Sequence, residues 1–229
     1  MTRPHDALLL DLDGTLLDTA PDMGGALNLL RREHGLEPLP HSAIRPVVSH
    51  GAVRLVALGF PAATGNEFER LRLRFLDLYA ANLATGTRLF PGFDAVLAVL
   101  EERGIPWGIV TNKPAWLTDP LLAALGLAGR AACAVSGDTV AERKPHPLPL
   151  LHAASLIGVP SDRCVYVGDA ERDIQAGRAA GMTTVVAAYG YLGAEEDPLR
   201  WEPHGVVDAP LELLQWLGES RAATQAAAR

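Results

Sequence analysis

A chain of 229 residues, 48% apolar and 21% charged, can bury one or two sizeable cores and lacks the bias of a disordered or fibrous protein. Its net charge of −7, from 27 acidic against 20 basic residues, argues against nucleic acid as a partner. No apolar run reaches bilayer length, so no membrane partner is expected either.

Met1 to Asp6 lead directly into the apolar run Ala7–Leu10, with no room for a signal peptide. That run is short and bounded by loop residues, which suits a buried parallel strand. Asp11-Leu12-Asp13-Gly14-Thr15 follows it. Alternation along a strand sends Asp11 and Asp13 to one side and Leu12 to the other. Two carboxylates therefore meet at the C-terminal end of a strand, where open α/β sheets hold ligands. Gly14 permits a sharp turn, and Thr15 offers a hydroxyl to a substrate. An acidic turn capping a helix would account for Asp18-Thr19 ahead of Pro21. It would not account for two carboxylates on one face.

From Pro21 the pattern is helical, with Met23, Leu27 and Leu30 at helical spacing and Gly35 as the stop. Ser42 is expected to cap a short helix that Pro46 interrupts. Two more helices are expected over 52–60 and 67–83, the latter with Phe68, Leu71, Phe75 and Leu78 as its stripe. No strand signal lies between Asp18 and Arg88. Beyond Pro91-Gly92, helices and strands alternate: helix 93–102, strand Trp107–Val110, helix 114–125, strand Cys133–Val135, helix 147–157. Strand 164–167, helix 171–180, strand 183–186, a short strand at 206–207 and a helix at 211–217 complete the series. The fold class is therefore α/β: a parallel sheet covered on both faces, with an all-helical insert after the first strand. Residues 1–18 and 88–229 form the expected catalytic core, and 19–87 a separate helical lobe. The Ala-rich end, 218–229, is expected to fray.

Three further constellations follow strands. Thr111-Asn112-Lys113 sets a hydroxyl and backbone N–H groups at a helix start, a natural anion site, although Asn112 alone would serve as a cap. Lys144-Pro145, after Arg143 and before Pro147, places a lysine at the start of another helix. Gly168-Asp169-Ala170-Glu171-Arg172-Asp173 puts Asp169 at a strand end and Asp173 about one helical turn later. With all strands parallel, Asp11, Asp13, Asp169 and Asp173 converge on one edge of the sheet. Four carboxylates and an anionic substrate require a cation, and an oxygen-only donor set favours Mg²⁺ over zinc. Cys133 and Cys164 lie in apolar contexts without CxxC spacing and read as reduced thiols, which points to the cytoplasm.

Taken together, these four motifs resemble those of the haloacid dehalogenase (HAD) superfamily, whose core is Rossmann-like, in the form its phosphatases use. The resemblance implies Asp11 as nucleophile, Asp13 as general acid/base, Thr111 on a phosphate oxygen and Lys144 neutralising the phosphoryl group. It further implies Mg²⁺ held by Asp11, the main-chain carbonyl of Asp13 and Asp169, with Asp173 orienting the metal's waters. Thr15, Asn112, His50 and Arg54 are the expected substrate contacts. The insert is similar to the helical cap of the phosphoglycolate phosphatase-like subfamily. Val47-Val48-Ser49-His50-Gly51-Ala52, Thr111-Asn112-Lys113-Pro114, and Tyr189-Gly190-Tyr191 with Trp201 are similar to N-acetylmuramic acid 6-phosphate phosphatases. The expectation is a phosphomonoester hydrolase acting through an aspartyl-phosphate on a small phosphorylated substrate, favoured N-acetylmuramic acid 6-phosphate, as a monomer or homodimer. Phosphoglycolate hydrolysis, phosphosugar mutation and a non-catalytic regulatory role are the alternatives. The cap is expected to hinge near residues 18–20 and 85–88, carrying the segment 49–54 toward Asp11.

Overall fold

The computed structural model describes residues 5–193 and 195–217; the expected frayed end lies outside them. Strand β1 (Ala7–Leu10) is fully buried, as a continuous apolar run between two parallel neighbours must be. It pairs in parallel with β4 (Trp107–Val110) on one side and β6 (Cys164–Gly168) on the other. Outward from these lie β5 (Cys133–Val135), β7 (Thr183–Ala187) and β8 (Gly205–Val207), all parallel. The sheet order is β5-β4-β1-β6-β7-β8, so the first strand of the chain sits between two strands that arrive much later.

Side chains alternate as the pleat requires. Leu8 and Leu10 join Trp107, Ile109, Val165 and Val167 on one face, and Ala7 and Leu9 join Val110, Val135 and Tyr166 on the other. Helix α5 (Phe93–Arg103) covers the first face with Phe93, Val96, Leu97 and Leu100. Helix α7 (Leu148–Ile157) covers the second with Leu150, Ala153 and Ala154. Helix α6 (Ala115–Ala124) follows β4, and α8 (Glu171–Ala179) follows β6.

Between Asp18 and Arg88 the chain forms α1 (Ala20–Glu33), α2 (His41–Ile44), a 3₁₀ turn (Arg45–His50), α3 (Gly51–Gly59) and α4 (Gly65–Ala81). Helix α1 packs along α4 and touches α3, and Leu27, Leu30, Leu55, Val56, Phe75 and Tyr79 fill the space between them. These side chains belong to the same apolar cluster as Leu8 and Leu10, joined through Leu16, Leu17 and Ala20. At roughly 1.5–3 kcal/mol per large buried apolar side chain, this shared packing holds the helices against the sheet's site-bearing end.

Three local expectations change. Ser42 is not a cap: Pro40, in extended backbone, occupies the position before α2, and Ser42 lies inside the first turn. Pro46 does not break the chain's winding but opens the 3₁₀ turn, where its missing N–H costs nothing. The final helix is 3₁₀, Pro210–Trp216, anchored by buried Pro210 and Leu213. A two-residue antiparallel ribbon, β2 (Leu17–Asp18) with β3 (Arg88–Leu89), closes the neck of the insert. Elements that short carry no periodicity in sequence.

Candidate active site

The sheet order builds the site. Because β1 lies between β4 and β6, Asp11 at its end stands between Thr111, after β4, and Asp169, after β6. Asp11 Oδ1 accepts a hydrogen bond from the Leu12 N–H at 2.7 Å and lies 2.8 Å from Lys144 Nζ. Lys144 is itself buried, with Nζ 2.7 Å from Asp173 Oδ1 and donating to the Tyr166 hydroxyl at 2.7 Å. An ammonium in that position is tolerable only because carboxylates surround it. Burial outweighs the Lys144 contact at Asp11 and pushes its carboxyl up to about 6. At Asp169 burial, with the charges of Asp11 and Asp173, pushes it up to about 7.

Asp11, Asp169 and Asp173 each offer a carboxylate oxygen, and these atoms lie within 4.8 Å of one another. Asp169 Oδ2 accepts from the Tyr191 N–H at 3.0 Å and from Ser49 Oγ at 2.5 Å, whereas Oδ1 is buried with no hydrogen-bond partner among the described residues. A buried carboxylate oxygen without a partner is costly unless a cation takes it. The residues therefore fit a hard, oxygen-liganded divalent ion. The cysteines play no part: burial pushes the Cys133 and Cys164 thiols up to about 11 and about 12. Gly14 adopts φ +85°, and a Cβ there would sit 2.0 Å from Asp169 Oδ2.

Asp13 faces a different partner. Lys113 Nζ donates to both of its carboxylate oxygens at 2.8 and 2.9 Å, and Thr19 Oγ1 donates to Oδ1 at 2.7 Å. The Lys113 ammonium also lies 4.8 Å from the Tyr79 ring centre, on α4 of the insert. Burial works against this ammonium, but the charge of Asp13 prevails and its pKa is raised. Thr111 is buried, and its Oγ1 accepts from the Lys113 N–H at 3.1 Å.

An open cavity of about 850 Å³ lies over these groups. Asp11, Asp13 and Thr111 form its floor, and His50, Arg54 and Trp116 are among its walls. Two expected substrate contacts come out differently. Thr15 is fully buried and does not line the cavity, because the turn after Asp13 folds back so that the Thr15 N–H meets the Leu12 carbonyl at 3.4 Å. Asn112 reaches the cavity, but its amide is spent on the Lys144 backbone, accepting from the N–H at 3.0 Å and donating to the carbonyl at 2.9 Å. It positions Lys144. Asp173 likewise holds Lys144 and accepts from the Ala170 N–H at 3.1 Å, in addition to facing the carboxylate cluster.

Lys113, Ser49, Arg172 and Tyr166 escaped the sequence reading as site residues. Lys113 stood inside a motif already singled out, but a lysine before a helix reads as solvated. Arg172, set among the acidic residues of its motif, is half-buried and donates from Nη2 to the Ser49 carbonyl at 2.6 Å. Ser49 lay in the segment expected to approach Asp11 but was given no role of its own, and Tyr166, a strand tyrosine, carried no signal.

A parallel sheet whose central strand ends in this aspartate, with the lysine and the two later aspartates beside it, defines a hydrolase class. The chain belongs to the haloacid dehalogenase-like hydrolase family, whose family model matches residues 5–181. Among its relatives, a phosphoglycolate phosphatase of Xanthomonas campestris pv. campestris is 49% identical over 207 residues, 90% of this chain and 94% of that protein. An N-acetylmuramic acid 6-phosphate phosphatase of Pseudomonas aeruginosa is 42% identical over 212 residues, covering 92% and 94%. Among solved structures, a predicted phosphoglycolate phosphatase from Haemophilus somnus superposes with a TM-score of 0.82 at 26% identity, over 94% of this chain and 99% of that one.

Proposed function

We propose that the chain is a Mg²⁺-dependent phosphomonoester hydrolase working through an aspartyl-phosphate on Asp11, with N-acetylmuramic acid 6-phosphate as the favoured substrate. The observation that carries the reading is the buried Asp11 carboxylate, 2.8 Å from Lys144 and within the cluster shared with Asp169 and Asp173. Mg²⁺ held there by Asp11, Asp169 and the Asp13 carbonyl would offset the phosphoryl charge that three carboxylates alone would repel. Asp11 attacks phosphorus and the ester P–O bond breaks; Asp13, which enters this step as the carboxylic acid, gives its proton to the departing alkoxide and is left as the carboxylate that Lys113 pairs. Asp13 then accepts a proton from water as that water attacks the aspartyl-phosphate, which releases phosphate and restores Asp11. Thr111, with its hydroxyl at the cavity floor, holds a phosphoryl oxygen, and Lys144, beside Asp11, neutralises the charge of the nucleophile and the phosphoryl group. Lys113 and Thr19 aim the Asp13 carboxylate at the leaving oxygen.

The size and lining of the cavity support a sugar phosphate. A two-carbon acid would leave most of about 850 Å³ empty, while Trp116, 52% exposed, offers a flat apolar face to a sugar ring. The Xanthomonas relative's greater identity favours phosphoglycolate as the second reading. Steady-state kinetics on N-acetylmuramic acid 6-phosphate, phosphoglycolate, glucose 6-phosphate and p-nitrophenyl phosphate, with Mg²⁺ and with chelator, decides between them. The muramyl ester should give the highest kcat/KM, and chelator should abolish turnover. Phosphoglycolate ranking first would replace the substrate assignment, and failure of every ester would leave a non-catalytic role.

A further inference from the structure

Ser49 belongs to the helical insert, yet its hydroxyl donates to Asp169 Oδ2 at 2.5 Å, 120 positions away in sequence. The same hydroxyl lies 3.3 Å from the main-chain carbonyl oxygen of Asp13. The Tyr191 N–H donates to Asp169 Oδ2 from the core side at 3.0 Å. One oxygen of this carboxylate is therefore gripped by both lobes, and the other, Oδ1, is buried without a partner. A carboxyl group turns readily about its terminal torsion, whose rotamer well is broad. Two donors on Oδ2 thus determine where Oδ1 faces.

The turn that carries Ser49 is fixed in its own right. Arg172, on the first turn of α8 and only three residues beyond Asp169, donates to the Ser49 carbonyl at 2.6 Å. A Cβ at Gly14 would lie 2.7 Å from Ser49 Oγ, so the hydroxyl reaches Asp169 only over a bare glycine. Four separate features, Gly14, Ser49, Arg172 and Tyr191, thus converge on the orientation of one side chain.

We propose that Ser49 is a positioning residue for the metal site, contributed by the insert. With the insert closed, its hydroxyl orients Asp169 so that Oδ1 faces Asp11 and Asp173; a cation on Oδ1 in turn favours the closed insert. Coupling of this kind is reciprocal by thermodynamic necessity. Partners that orient a ligand carboxylate typically change metal affinity by about 10- to 100-fold. The inference rests on the reading of Asp11, Asp169 and Asp173 as a divalent-cation site.

The test is calorimetric titration of Mg²⁺ into the metal-free full chain, for wild type, Ser49→Ala and Ser49→Thr. Amide hydrogen exchange over residues 47–52 is followed with and without Mg²⁺. Ser49→Ala should bind Mg²⁺ about 10- to 100-fold more weakly, and Ser49→Thr, which keeps the hydroxyl, should stay near wild type. Mg²⁺ should slow exchange in wild type and leave it unchanged in Ser49→Ala. Should Ser49→Ala fail to fold, Ser49→Cys, a similar size with a weak donor, takes its place. Undiminished affinity without the hydroxyl overturns the proposal, and so does a Ser49→Thr loss as large as that of Ser49→Ala. A wild-type chain that binds no Mg²⁺, or an Asp169→Asn variant that binds it undiminished, overturns the metal reading beneath it.

Discussion

At the scale of single residues the site is a balance of buried charges. Asp11, Asp169 and Asp173 face Lys144, and Asp13 faces Lys113. Asp11→Asn keeps the shape and removes the attacking charge, so hydrolysis of p-nitrophenyl phosphate should fall by at least about 10³-fold while the circular dichroism spectrum stays unchanged. Lys113→Met should cost the alkyl esters more than p-nitrophenyl phosphate, whose leaving group departs without a proton; comparing kcat for the two esters checks this. Proton linkage follows from the raised carboxyls. In the metal-free chain the native state keeps protons on Asp11 and Asp169 from the ordinary value near 3.8 up to about 6 and about 7. The unfolded chain has lost them there, so the stability these two groups contribute declines as pH rises through that window. Mg²⁺ displaces the same protons. Its affinity should therefore weaken by up to about tenfold per unit as pH drops from 7 to 6, and the Mg²⁺-induced rise in Tm should be larger at pH 8 than at pH 6.

At the scale of elements the insert joins the core through two crossings of the chain at the neck. The sequence placed the expected hinge near residues 18–20 and 85–88. In the structure the Asp22 carboxylate, on α1, ties the second crossing down: it accepts from the Gly86 N–H at 2.6 Å, the Thr87 N–H at 3.0 Å and Thr87 Oγ1 at 2.6 Å. On the other crossing, Asp18 accepts from Arg45 at 2.8 Å and from the Tyr191 hydroxyl at 2.7 Å, and that hydroxyl accepts from the Ala20 N–H at 2.8 Å. Both crossings are thus held by a carboxylate rather than left loose. Asp22→Ala strands three donors and should destabilise the chain by about 2–4 kcal/mol, measured by urea unfolding. Asp22→Asn, which keeps one acceptor, should cost less.

At the scale of the whole molecule, the core supplies the chemistry and the insert supplies most of the wall over it. His50 stands 4.0 Å from Glu196, and burial, with the charge of Arg172, lowers its pKa, so it faces the cavity as a neutral hydrogen-bonding group near pH 7. Arg54, exposed on α3, brings a positive charge to the same wall. Substituting either by Ala should lower kcat/KM for the preferred sugar phosphate more than for p-nitrophenyl phosphate and so reorder the panel of esters. An unchanged order would move selectivity to Trp116 and the α4 side of the cavity.

Much of this was legible in the chain itself, for a physical reason. Parallel strands are short, apolar and bounded by turn residues, and β4 and β5 fall where the sequence puts them. Asp11, Thr111 and Asp169 announce themselves because each directly follows such a strand, and parallel strands bring their C-terminal ends to one edge; Lys144 stands out by its place before Pro145 and Pro147 at a helix start. Contacts between distant segments leave no such trace. The use of Asn112 on the Lys144 backbone, the Lys113–Asp13 pair and the reach of Ser49 to Asp169 each join segments whose separation in sequence says nothing of their distance. The two-residue ribbon at the neck is too short for any period to mark it. The sequence by itself determined the sheet, its order of motifs and the chemistry they carry; only the tertiary structure decided which side chains share charge, because burial and proximity, which set those partnerships, exist only once the chain has closed on itself.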